Sequence, residues 1–129
     1  MKYIGFIKEQ DKNIPSAKNL NEMLLQVDNN PTITKDVVTY LNNGIFLSGV
    51  MSFIYDDEGK PIGNLDYFTD GQFVWPVYYP HYLQKYKNFL IDQDFLQHCI
   101  SNNFKIASLS KETLIKIDAD FLKAWSKKI

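Results

Sequence analysis

Arginine is absent from this chain: all 14 of its positively charged residues are lysines. Bidentate readout of phosphates, carboxylates and guanine edges is mainly guanidinium chemistry, so its absence argues against direct nucleic-acid recognition. A formal net charge of −1 at pH 7 adds no electrostatic drive toward nucleic acid or an anionic membrane. Cysteine occurs once, at Cys99, which excludes an internal disulfide and most cysteine-based metal sites and suits a reducing compartment. No apolar run approaches the length of a membrane span, and the opening Met1 to Lys8 segment is too soon interrupted for a signal peptide. A soluble, cytoplasmic protein is expected. Neither a Gly-rich phosphate loop nor a Gly-x-Ser-x-Gly elbow is found.

What is present is a well-packed globular composition. With 129 residues, 45% hydrophobic and 15% aromatic, the chain suits one domain over residues 1–129 whose core needs no staples. Residues 2 to 8 alternate loosely and suit an edge strand. Asn19 with Glu22 forms a capping-box pattern, and Leu20, Met23, Leu24 and Val27 give one helix face, predicting a helix over 19–27. Asp28-Asn29-Asn30-Pro31 stops it. Thr34 can cap a second helix with an inner face of Val37, Tyr40 and Leu41 that closes at Gly44.

Ile45 to Tyr55 is rich in β-branched and aromatic residues and reads as a long central strand, followed by a polar hairpin loop at 56–61 and a return strand over 62–69. Asp70-Gly71 is a two-residue hairpin signal that sends 72–75 back, completing an antiparallel meander. That register sets Phe68 against Phe73 and Tyr67 against Val74. Three helices follow over about 79–87, 92–102 and 110–127, with Asp92 and Ser110 as caps and a possible break at Asp118-Ala119-Asp120. The prediction is an α+β domain: a small antiparallel meander of three to four strands packed with about five helices. Trp75, Phe73, Phe95 and Phe121 are its candidate core.

The stretch Thr69-Asp70-Gly71, Trp75-Pro76, Tyr82 and Tyr86, then Phe95 with His98, resembles a family of bacterial immunity proteins, the antidotes to polymorphic or contact-dependent-inhibition toxins. The likeness spans about residues 45 to 103, with Val77, Tyr78 and Tyr79 standing where polar residues are usual and Asp92 where a proline is common. It implies a protein that binds and neutralises a cognate toxin domain, often a nuclease, as a monomer in a one-to-one complex and without chemistry or cofactor of its own.

Read for chemistry, the residues give no catalytic set. His98 and Cys99 are adjacent, so on a helix their side chains diverge. Cys99 falls on the apolar face, and His81 and His98 on outward faces. Asp56-Asp57-Glu58 lacks the alternating ligands of a calcium loop, and no metal site is expected. Charge is nevertheless segregated: residues 45–76 hold five acids against Lys60 alone, a balance of −4, while 77–129 balance at +3. Asp56, Asp57, Glu58 and Asp66, with Tyr78 as the exposed helix tyrosine and His81, are therefore the candidate partner-binding residues. The alternative is a small ligand-binding regulator or enzyme with an aromatic pocket between sheet and helices.

Overall fold

The computed structural model describes residues 1–126, and the expected end of the last helix at Lys127 lies outside them. The elements are β1 (Lys2–Tyr3), α1 (Lys8–Asp11), α2 (Leu20–Met23), α3 (Pro31–Asn42), β2 (Ile45–Tyr55), β3 (Pro61–Thr69), β4 (Phe73–Pro76), α4 (Tyr78–Lys85), α5 (Gln93–Ser101) and α6 (Lys111–Trp125). This is an α+β fold. Its sheet runs in the order β1-β4-β3-β2, antiparallel except that β1 lies parallel to β4, so it is mixed where an all-antiparallel meander was expected. None of the described helices is long and apolar enough to cross a membrane.

Local chemistry explains most boundaries. Asn30, not Thr34, caps α3: its Oδ1 accepts from the Thr32 and Ile33 amides, with Pro31 at the first helical position, where a missing N–H costs nothing. Gly44 does not end the helix by a left-handed turn; a Cβ there would lie 2.4 Å from the Trp75 ring, so glycine permits close approach instead. The first expected helix shrinks to one turn at α2. Leu24 and Leu25 leave it for extended pairing with Asn88 and Phe89, a tertiary contact that overrides helical spacing. The anticipated 2–8 strand is likewise cut to Lys2–Tyr3, because Gly5 turns at φ +73 beneath the Tyr79 ring. Asp92 and Ser110 cap α5 and α6 as expected, and α6 continues unbroken through Asp118-Ala119-Asp120.

The β3–β4 register differs from the two-residue-turn expectation. Thr69 pairs with Val74, Phe68 with Trp75 and Tyr67 with Pro76, leaving four residues in the loop. Asp70 causes this: its Oδ1 accepts from the Gln72 and Phe73 amides, an Asx-type turn in which only Gly71 has positive φ. Each partner shifts by two residues, so the face each side chain occupies is unchanged. One face carries Trp75 and Phe73 against Phe95 of α5, with Tyr40 of α3 packed on both Trp75 and Phe95. The other carries Tyr67 against Phe6 and Phe121. Phe121 thus lies across the sheet from the other three candidate core aromatics, although all four are buried.

Trp75 is fully buried and its Nε1 donates to the Leu41 carbonyl, which also accepts the Gly44 amide, so Trp75→Ala acts chiefly by removing packing. The substitution should cost about 3 to 5 kcal/mol in chemical denaturation; an unchanged midpoint would contradict the packing described.

Candidate functional site

Two buried carboxylates organise the polar interior. Asp11 accepts hydrogen bonds from the Tyr67 hydroxyl at 2.6 Å, the Tyr78 hydroxyl at 2.7 Å and the Trp125 indole at 3.1 Å. Burial pushes its carboxyl upward, and these three donors oppose that rise. Asp70 accepts from Tyr40 at 2.6 Å and lies 2.9 Å from the His98 ring nitrogen. The second arrangement places an Asp–His pair beside Cys99, but the thiol does not join it: Cys99 is buried and desolvation pushes it up to about 12. A thiol held protonated at neutral pH is a packing group, not a nucleophile.

The residues expected to face a partner divide sharply. Tyr78 is not the exposed tyrosine; it is fully buried, because its hydroxyl donates to Asp11 while accepting the Ile7 amide. Counting one buried face on α4 misled the sequence reading, since Tyr78, Tyr79, Pro80, Tyr82 and Leu83 are all buried there. Asp56 is also buried. It accepts the Glu58 and Lys60 amides, and its other oxygen meets His81 and Lys85, each at 3.0 Å. Burial alone would raise its carboxyl, but His81, the two amides and Lys85 hold it well below the ordinary range. Lys85 also reaches Asp57 and Glu58, each at 2.7 Å. The acidic hairpin is therefore offset by α4 through His81 and Lys85, and it is a joint between β2–β3 and α4.

Asp66 differs from the hairpin acids. It sits mid-strand in β3, on the face it shares with Phe68, and among the described residues its carboxylate has neither a hydrogen bond nor an ion pair. Beside it on β2 is Gly49, where a Cβ would lie 2.5 Å from Asp66 Oδ1. Phe46, Gly49, Met51, Asn64 and Asp66 line an open hollow of about 400 Å³. β2 is an edge strand, and along it Phe46 is 57% exposed, Met51 99%, Phe53 53% and Tyr55 54%. Phe53 packs on Tyr55 and Phe46 on Phe68, so the exposed rings are mutually ordered. The apolar run reads in the sequence as a central strand, but β2 stands at the edge of the sheet, which leaves this strip uncovered.

Trp75, Tyr40, Phe95, Tyr67 and Phe121 pack the space between sheet and helices, and a small hollow of about 140 Å³ beside β1 is lined by Tyr3, Phe6 and Tyr79 among others. A groove of about 690 Å³ lies between α3 and α4, lined by Thr34, Lys35, Val38, Asn42, Leu83 and Lys87 among others, without an aromatic ring. Comparison with protein-family models, curated proteins and solved structures returns no match.

Two outcomes test this geometry. Tyr78→Phe leaves the Ile7 amide without its acceptor and should cost about 1 to 3 kcal/mol in denaturant unfolding; a neutral effect would contradict the buried placement. Asp56, depressed in the folded chain, contributes stability that is complete above the unfolded value of about 4 and is lost as pH falls through the folded value. Thermal melts of Asp56→Asn should therefore depend less on pH than the native chain's below about pH 4, and parallel acid limbs would remove Asp56 from that role.

Proposed function

We propose that this chain is an immunity protein that acts in the cytoplasm, binding a cognate toxin domain and neutralising it by protein–protein contact. The observation that carries the reading is the exposed apolar strip of Phe46, Met51, Phe53 and Tyr55 gathered on one edge strand. Contiguous exposed apolar surface has a solvation cost that a partner relieves, and such patches mark interaction sites. The resemblance over residues 45 to 103 supplies the class of partner. Its quoted residues are scaffold: Thr69, Asp70 and Gly71 shape the turn, Trp75 and Phe95 pack together, and His98 reaches Asp70. A scaffold shared in this way leaves the exposed strip free to differ from one partner to the next.

Co-expression with the product of the neighbouring toxin gene, followed by affinity capture and a growth assay, tests the reading. A one-to-one complex and restored growth are expected. Turnover of a small molecule that is abolished by changing one polar residue of this chain would replace binding with catalysis as its role.

A further inference from the structure

We propose that the hollow beside Asp66 is the seat for a lysine or arginine side chain of a basic protein partner, and that this contact anchors the complex. The inference rests on the toxin-binding reading and names the surface and the chemistry that reading leaves open. Three observations converge on it. Among the described residues no cation meets Asp66 on the β2–β3 sheet face, whereas Asp56, Asp57 and Glu58 already meet Lys85. Gly49 keeps the approach to Asp66 Oδ1 clear, since any side chain there would collide with it. Phe46 and Met51 wall the same hollow and are exposed, offering an aromatic face and a thioether to the stem of a long cationic side chain. A cation seated there gains a carboxylate partner while its stem covers part of the exposed apolar wall of the open hollow.

The geometry of β2 also sets how the partner lies. Register shifts between Phe46 and Ser48, between Gly49 and Phe53 and between Ile54 and Tyr55 interrupt its ladder, and Met51 stands at φ +53 in the second. A strand interrupted three times offers no continuous row of amides and carbonyls for an added strand. The partner therefore docks across the face through side chains, with the Asp66 hollow near its centre and Phe53 and Tyr55 at one end.

The experiment measures binding of the neighbour-encoded toxin domain by calorimetry to the native chain and to Asp66→Asn, Gly49→Ala and Phe46→Ser, with melting temperatures confirming the fold of each. Asp66→Asn and Phe46→Ser should each weaken binding at least about tenfold. Gly49→Ala, which displaces the carboxylate but keeps its charge, should weaken it too. Toxin binding unaltered by all three overturns the proposed seat and leaves the toxin-binding reading standing. Failure of the native chain to bind that domain removes the reading instead. The seat is then judged by selecting from a phage-displayed library of random peptides: enrichment of peptides with one basic residue among apolar ones, lost on Asp66→Asn, supports it. Selection that yields no such peptides, or peptides indifferent to Asp66→Asn and Phe46→Ser, overturns it. A concentration-dependent dimer of the native chain that Phe46→Ser dissolves would assign the face to a second copy and likewise overturn it.

Discussion

Asp11 is the point on which the packing of this domain turns. Its carboxylate gathers the hydroxyl of Tyr67 from the sheet, the hydroxyl of Tyr78 from the start of α4 and the indole of Trp125 from the end of α6. Four stretches distant in sequence are thereby set at one point. A buried carboxylate is costly unless its oxygens are satisfied, so the three donors and the carboxylate depend on one another. The fixed position of α4 that results brings His81 and Lys85 over the β2–β3 hairpin, where they close on Asp56.

A second centre at Asp70 works in the same way on the opposite face of the sheet. One oxygen shapes the turn by accepting two amides, while the other receives Tyr40 from α3 and meets His98 from α5. Turn and helices are therefore specified by a single side chain. Beyond these two centres the outer part of β2 stays exposed at Phe46, Met51, Phe53 and Tyr55.

How much of this could be read from the residues alone follows from the range of the forces involved. The β2 and β3 spans, α5 with its Asp92 cap and α6 with its Ser110 cap were legible, since periodicity and capping act over a few residues. The shortened α2 and β1 were not, because pairing of Leu24 with Phe89 and packing of the Tyr79 ring on Gly5 decide them across long sequence separations. Nothing local distinguishes Asp11 in its polar Lys-Glu-Gln-Asp turn, so the burial of Tyr78 beneath it was hidden as well. Asp66 was visible as a charge interrupting an apolar strand. Its clearance at Gly49 and its neighbours Phe46 and Met51 emerged only once the bulged β2–β3 register was in place.

Cys99 carries a practical consequence of this architecture. It is the single thiol of the chain and lies on the inner side of α5 with no accessible surface. Its neighbours Phe95 and His98 hold that helix to Trp75 and Asp70, so a reagent reaches the sulfur only when α5 lifts from the sheet. The rate of thiol labelling thus reads the opening equilibrium of one defined unit of the fold, without any engineered probe. The protein contains its own clock for the separation of helix and sheet.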